Sequence, residues 1–60
     1  MAHTAEETLT EAQAVYPQAY EVSPTHPGED AEWWVADSEH DTFAVGIWEG
    51  SSITFRDYHP

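Results

Sequence analysis

Twelve acidic side chains and a single basic one, Arg56, share a chain of only 60 residues, which gives a net charge of −11. A chain of this length buries only about 60% of the surface that it exposes when unfolded, so its core must be thin and efficiently used. An active-site cleft would compete with that core for residues. A charge of this sign and size repels nucleic acids and anionic membranes and attracts basic protein surfaces.

High net charge is also typical of disordered segments, because such segments bury too little apolar surface to offset the conformational entropy that is lost on folding. This chain, however, contains three Trp, three Tyr and two Phe. These residues fall at periodic positions next to β-branched residues, which is the composition of a packed sheet. The sequence therefore predicts one small acidic domain over residues 1–60, in which residues 1–3 form a flexible N-terminus.

The N-terminal segment predicts a helix over residues 5–16. Thr4 and Glu7 have the Thr-x-x-Glu spacing of a capping box. Pro17 ends the helix, because the residue before a proline is disfavoured in helical geometry. Apolar residues recur on one stripe, which we expect to cover a sheet: Ala5, Leu9, Ala12 and Tyr16, with Val15 beside them.

The rest of the chain shows the alternation of apolar and polar residues that is typical of strands. The candidate strands cover 19–23, 32–37, 43–49 and 52–58. The predicted fold class is α+β, with one N-terminal helix packed on a three- to four-stranded antiparallel sheet in the order α-β-β-β-β.

Two registers compete for the last hairpin. A two-residue turn pairs Trp48 with Ile53, whereas a three-residue loop over 49–51 pairs Ile47 with Ile53. We prefer the second register, because it unites the strongly apolar residues on one face and a slip of one residue would reverse that. Extended to the second strand, it sets Val35 opposite Val45, Trp33 opposite Ile47 and Trp34 opposite Gly46.

This register leaves an aromatic surface on the face away from the helix, formed by Trp34, Trp48, Arg56 and Tyr58. These residue types are the ones most often found at the energetic centres of interfaces, which makes the surface a candidate partner-binding site. The alternative is that the side chains only pack on one another, with Arg56 stacked on a ring as a cation–π pair.

A second candidate site consists of acidic residues at the two ends of the second strand: Glu29, Asp30, Glu32, Asp37, Glu39 and Asp41. The two groups are expected about 20–25 Å apart. A folded chain of this size exposes roughly 4,000 Å², or about one net charge per 360 Å². Duplex DNA carries about one per 110 Å², so mimicry of DNA requires carboxylates that crowd on one flank.

No catalytic, metal-binding or cofactor-binding residues are predicted. The chain has no cysteine, no Ser-His-Asp order, no phosphate-binding glycine loop and no dinucleotide fingerprint. His40 between Glu39 and Asp41 is the densest group of metal-ligand types, but its spacing matches no zinc or calcium signature. One Arg and no Lys cannot neutralise a run of phosphates, which excludes direct binding of nucleic acid.

The predicted function is that of a non-enzymatic binding module or inhibitor whose acidic surface engages a basic protein, nucleic-acid-binding proteins included. In composition alone the chain is similar to small acidic inhibitors that phages encode. Two alternatives stay open: a soluble protein adapted to concentrated salt, or a homo-oligomer, in its simplest form a homodimer, that uses an exposed Trp/Tyr face. No apolar run is long enough for a membrane span, so we expect a cytoplasmic protein, or one in the host cytoplasm if a phage encodes it.

The charge generates a prediction about stability. The urea concentration at the midpoint of unfolding should rise between low salt and about 1 M NaCl, because salt screens the repulsion among carboxylates. Circular dichroism at a series of salt concentrations measures this midpoint. A midpoint independent of salt would mean that the carboxylates lie too far apart to repel one another.

Overall fold

A computed structural model of the protein describes residues 3–59. It contains one helix, α1 (Ala5–Val15), and four strands: β1 (Glu21–Pro24), β2 (Glu32–Ala36), β3 (Thr42–Glu49) and β4 (Ser52–Asp57). The strands form one antiparallel sheet in the order β1-β2-β3-β4. Helix α1 lies over one face of this sheet, closest to β1 and β2. The predicted fold class and element order are confirmed.

Helix α1 begins and ends where its capping residues predict. The hydroxyl of Thr4, the N-cap, accepts a hydrogen bond from the backbone N–H of Glu7 at 3.0 Å. Tyr16 is the C-cap, and its N–H donates to the Ala12 carbonyl at 2.7 Å before Pro17 turns the chain away. The first turn also carries acidic residues, which the helix dipole favours there.

The buried stripe of α1 differs from the predicted one. Thr8 and Ala12 are fully buried, while Leu9 and Tyr16 are partly buried against the core. The expectation for Val15 is wrong, because its side chain is 57% exposed, and Ala5 is exposed as well. A cluster of small residues lies directly under the helix, and the larger Trp33 and Trp48 are buried on the same face of the sheet. The members of this cluster are Ala12, Ala19, Val35 and Ala44.

The β3–β4 hairpin has a two-residue turn, so the predicted register with a three-residue loop is wrong. Trp48 pairs with Ile53 and Glu49 with Ser52, so only Gly50 and Ser51 form the turn. Gly50 has a φ of 66°, the left-handed conformation that a type II′ turn requires at its first central position. This turn type matches the right-handed twist of the two strands, a preference that the argument from apolar pairing did not include.

The register of β2 on β3 also differs from the prediction, because β3 contains a β-bulge. Val35 pairs with Ala44, but the next residue of β2 pairs with Thr42, so Phe43 is an extra residue without a partner on β2. Phe43 and Ala44 both pack towards the helix. The alternation of apolar residues therefore changes phase after Phe43, and Val45 turns to the opposite face.

These registers decide the composition of the two faces, since directly paired residues lie on the same side of a sheet. The face under α1 carries Val22, Trp33, Val35, Ala44, Gly46, Trp48, Ile53 and Phe55. Trp33 is anchored there by a hydrogen bond from its Nε1 to the Asp30 carbonyl at 2.6 Å. The pairs Val35–Val45 and Trp33–Ile47, which we expected on this face, do not form.

Gly46 is necessary for the packing of this face. The ring of Phe55 covers it from the neighbouring strand, whereas the predicted register had set Trp34 opposite Gly46. A Cβ atom on Gly46 would lie 2.6 Å from Phe55 Cε1 and 2.9 Å from Ile53 Cδ1, which is closer than carbon atoms approach without displacement. The ring can contact the sheet here only because the strand backbone is bare.

We therefore predict that Gly46→Ala lowers the free energy of unfolding by about 1–3 kcal/mol, the usual cost of overpacking a core. Urea denaturation of the purified variant measures this loss. In a Phe55→Val background the loss should shrink, because the clashing ring atoms are gone. An equal loss in both backgrounds would show that the ring of Phe55 is not what excludes a side chain at Gly46.

Candidate protein-binding surface

The face of the sheet opposite α1 is left uncovered by the residues that the structure describes. We call it the open face; its central residues are Trp34, Val45, Ile47, Thr54, Arg56 and Tyr58. Two shallow depressions adjoin each other on it. One, of about 330 Å³, lies along Trp34 and Tyr58, and the other, of about 260 Å³, lies along Ile47 and Thr54. Arg56 forms part of the wall of both.

The strand registers assemble the centre of the open face. Trp34, Val45 and Arg56 form one row across three strands. The rings of Trp34 and Tyr58 meet edge to face, with centroids 4.9 Å apart and planes inclined by 60°. Val45 is only 4% exposed, whereas Trp34 and Tyr58 are half-buried. The two rings thus form a partly solvated aromatic surface over a buried valine.

Three of the four residues predicted for the aromatic surface are on the open face: Trp34, Arg56 and Tyr58. Trp48 is not, because the two-residue turn directs its side chain to the opposite face, where it is 7% exposed. Val45 and Ile47, which we had assigned to the core under the helix, lie on the open face in its place. The Gly-Ser order at 50–51 was the signal for this outcome, since glycine at the first position favours a type II′ turn.

Trp48 is held under α1 by two contacts. Its Nε1 donates a hydrogen bond to the buried Thr8 hydroxyl at 3.0 Å, and Thr8 Oγ1 donates to the Thr4 carbonyl at 2.9 Å. On its other side, the imidazole of His3 is stacked on the indole, with centroids 3.7 Å apart and planes within 5°. This indole is therefore part of the core and lies away from the candidate binding surface.

A flexible N-terminus is predicted for residues 1–3, and of these the structure describes His3. Met1 and Ala2 lie outside the described residues. The backbone N–H of His3 donates to the Asp30 carboxylate at 2.8 Å, and its Nε2 lies 2.7 Å from the Gly50 carbonyl oxygen. These contacts tie the start of the chain to both the β1–β2 loop and the β3–β4 turn.

The carboxylates concentrate at the two ends of the sheet. A proximal acidic group, near the start of α1, consists of Glu7, Glu29, Asp30, Glu32 and Glu49. A distal acidic group, around the β2–β3 loop, consists of Glu21, Asp37, Glu39, Asp41 and Asp57. All six predicted acidic site residues fall in these groups, at opposite ends of β2 as expected. The charge therefore occupies both ends of the sheet and does not crowd on the single flank that mimicry of DNA requires.

Some of these carboxylates have structural roles. Asp37 Oδ1 accepts hydrogen bonds from the backbone N–H groups of Glu39 at 2.9 Å and Asp41 at 3.2 Å, which closes the β2–β3 loop. In the proximal group, Asp30 accepts from His3, and Glu32 Oε1 accepts from the Thr25 hydroxyl at 2.8 Å. The side chains of Glu39 and Asp41 are exposed, which makes them the clearest candidates for contact with a partner.

The titratable groups near the sheet include one histidine with unusual backbone geometry and one tyrosine with a shifted pKa. His40 has a φ of 67° and its Nδ1 contacts the Glu21 carboxylate. Across the described part of the chain, no three His, Asp or Glu residues come together as metal ligands would. Partial burial, and then the negative charge of Asp57, raise the pKa of the Tyr16 hydroxyl above its usual value near 10. That phenol stays neutral at physiological pH, so it is not a ready base.

The average exposed area per net charge is close to the value expected from the sequence. An exposed surface of 4137 Å² carries the net charge of −11. This corresponds to about one charge per 380 Å², whereas duplex DNA carries about one per 110 Å². Recognition of a DNA-binding groove would therefore depend on the two acidic groups, which together hold ten of the twelve carboxylates.

Comparison with protein-family models, curated proteins and solved structures finds no match for this chain. Within residues 3–59, no helix combines the length and the apolar character that crossing a membrane requires. The function proposed below therefore rests on the geometry and charge of the chain itself.

The burial of Trp48 generates a prediction. Thr8→Val should lower the free energy of unfolding by about 1–3 kcal/mol, because it leaves the indole N–H buried without an acceptor. Thr8→Ser is the matched control, since it keeps the hydroxyl that accepts from Trp48 and donates to Thr4. Urea unfolding followed by tryptophan fluorescence measures both variants. Equal stability of the two variants would show that this hydrogen bond contributes nothing to the fold.

Proposed function

We propose that the protein is a non-enzymatic binding module that engages a basic surface of another protein, nucleic-acid-binding proteins included. The observation that supports this most directly is the placement of carboxylates at both ends of an open sheet face with an aromatic centre. Such a surface offers negative potential at its rim and a site for burial of apolar area in the middle. The two parts have different roles in binding.

The acidic groups supply attraction at a distance. Complementary charge mainly raises the rate of association and selects the partner, and it acts before the surfaces touch. The proximal and distal groups flank β2 and its neighbours, a separation on the order of 20 Å for strands that rise by about 3.3 Å per residue. Two anionic groups at this separation can occupy two phosphate-binding subsites of one basic groove. In that mode the protein acts as a competitor of nucleic acid.

The aromatic centre supplies contact area. Trp34 and Tyr58 are half-buried, so a partner that covers them removes further apolar surface from water. Tryptophan and tyrosine at the middle of a surface with a polar rim are the usual composition of an interface hot spot. Arg56 lies beside them and can donate hydrogen bonds to carbonyl or carboxylate oxygens of the partner.

Adaptation to concentrated salt is the main competing explanation of the acidity. It accounts for the scarcity of basic residues through screening of like charges. It does not account for an uncovered face whose centre retains Trp34, Val45 and Ile47 while the carboxylates lie at its ends. That separation of apolar centre and charged rim favours a binding surface.

The proposal is tested by capture of partners from a lysate of the cells in which the protein is made. We expect a retained protein with a basic surface, released as NaCl rises from about 0.15 M to about 1 M. Duplex DNA added at low salt should displace it if the same groove binds phosphates. The double variant Glu39→Lys/Asp41→Lys should retain at least tenfold less of it.

The matched control is Glu6→Lys/Glu11→Lys, which makes the same change in net charge at exposed positions of α1. It should weaken retention much less than the variant at the distal acidic group. Trp34→Ala should also weaken retention less than the charge reversal. Equal effects of the two double variants, or a larger effect of Trp34→Ala, would refute recognition by the acidic groups.

A further inference from the structure

Strand β4 forms an edge of the sheet with free backbone groups. The N–H of Tyr58 donates to the Phe43 carbonyl at 3.0 Å, and alternate residues of an antiparallel strand bond to the same neighbour. Thr54 and Arg56 therefore direct their backbone groups to β3. The remaining residues, Ile53, Phe55 and Asp57, direct theirs outwards, and no other segment of residues 3–59 hydrogen-bonds to them.

The other edge, β1, is protected against pairing. It is only four residues long and ends in Pro24. The N–H of Thr25 donates to the Glu32 carbonyl at 3.1 Å, so Ser23 also faces β2, whereas Val22 and Pro24 face outwards. Proline has no N–H to donate, and short strands with proline are a common device against edge-to-edge association. β4 has six residues and no proline.

The charge of β4 also differs from that of the other elements. Arg56, the only basic side chain of the chain, and Asp57 leave this strand without net charge, while α1 and the other three strands are all negative. Repulsion between two molecules of charge −11 is therefore weakest where two β4 strands meet. A basic segment is a poorer occupant of this edge, because Arg56 would repel it.

We infer that β4 is a homodimer interface, in which β4 of a second copy adds antiparallel to this edge and makes one continuous eight-stranded sheet. The two copies are related by a two-fold axis normal to the sheet, and Ile53 of each copy lies opposite Phe55 of the other. In this register the outward-facing N–H and C=O groups of these residues hydrogen-bond across the interface. Both side chains are partly exposed and lie on the face under α1. The two helices then lie on the same side of the joint sheet.

The same register places complementary charges next to each other. Arg56 of one copy pairs with Ser52 of the other, and Ser52 is itself paired with Glu49. The long arginine side chain can extend along the open face towards that carboxylate, once from each copy. In the part of the chain that the structure describes, Arg56 has no ion-pair partner of its own, although twelve acidic residues accompany it. The dimer thus gives Arg56 of each copy one carboxylate partner, Glu49 of the other copy, in two equivalent contacts.

The affinity of the dimer should change with salt in the opposite direction to the affinity for a basic partner. Pairing one strand buries less than the roughly 1,200 Å² of a standard interface, so the association is weak and depends on concentration. Salt screens the repulsion between two anionic bodies and thus strengthens their association. Binding of a basic partner weakens under the same change, so the two proposals can fail independently.

Sedimentation equilibrium of the full chain tests the inference, with protein up to about 1 mM and NaCl from about 0.05 M to about 1 M. We expect the mass to rise from 6.8 kDa towards twice that value as either concentration increases. The dissociation constant should fall at least tenfold across the salt range. A monomer under all conditions would overturn the inference.

Two variants locate the interface. Asp57→Pro removes an outward N–H that bonds to nothing within residues 3–59 and that lies opposite Ser51 of the second copy in this register. Asp57→Ser is the control that makes the same change in charge and keeps the N–H. The proline variant should dissociate at least tenfold more readily than the serine variant. A chain synthesised with N-methyl-Phe55 removes a second outward donor without changing any side chain, and it should behave like the proline variant. Dimers that withstand both changes would refute pairing through β4.

Amide exchange of the unmodified protein gives a readout that does not depend on any variant. In dilute, low-salt solution the amides of Ile53 and Phe55 should exchange fast, and those of Thr54 and Arg56 slowly, because only the latter bond to β3. At high protein and salt concentration, Ile53 and Phe55 should become protected as well. Protection that appears elsewhere, with these two amides still fast, would assign the dimer to another surface and overturn the inference.

Discussion

The two-residue turn at Gly50 and Ser51 decides which face of the sheet each side chain of β3 and β4 occupies. Because side chains alternate along a strand, a loop longer by one residue would move the whole of β4 by one position against β3. The observed turn directs Trp48 to the helix and Val45 with Arg56 to the open side. The core under α1 and the candidate binding surface are both consequences of this turn, together with the bulge at Phe43.

The core that results is economical for a chain of 60 residues. Alanines meet between helix and sheet, and Gly46 lets the ring of Phe55 lie directly on the strand backbone. Close approach of the backbones replaces the bulk that large aliphatic side chains would provide. The polar groups within it are satisfied, since Thr8 both donates to the helix and accepts from Trp48. A thin core of this kind leaves other aromatic rings available for the opposite face.

Elements that depend on local signals could be predicted from the sequence. Thr4, Glu7 and Pro17 define the limits of α1 through hydrogen bonds and backbone geometry that involve only nearby residues. The grouping of carboxylates at the ends of β2 also follows from their order along the chain. Pairing between strands is different, because it depends on the geometry of the connection as well as on the apolar pattern. Our register failed at the turn and at the bulge for that reason.

The partner-binding roles of the candidate residues remain predictions. What the structure adds is their arrangement: Trp34, Arg56 and Tyr58 share a face, Trp48 is separated from them, and the acidic groups lie at both ends. No local pattern in the sequence could place Thr8 as the buried partner of an indole 40 residues away. Such contacts become visible only when the register between distant segments is known.

The bulge at Phe43 has a consequence for how narrowly this sequence specifies its fold. Without the bulge, side chains would alternate along the whole of β3, and Phe43 would lie on the same face as Val45 and Ile47. Burial of Phe43, Val45 and Ile47 beneath the helix would in that case require Trp48 to face the other side of the sheet, because side chains alternate along a strand. The turn at Gly50 and Ser51 and the bulge at Phe43 together place Trp48, and not Val45 and Ile47, beneath α1.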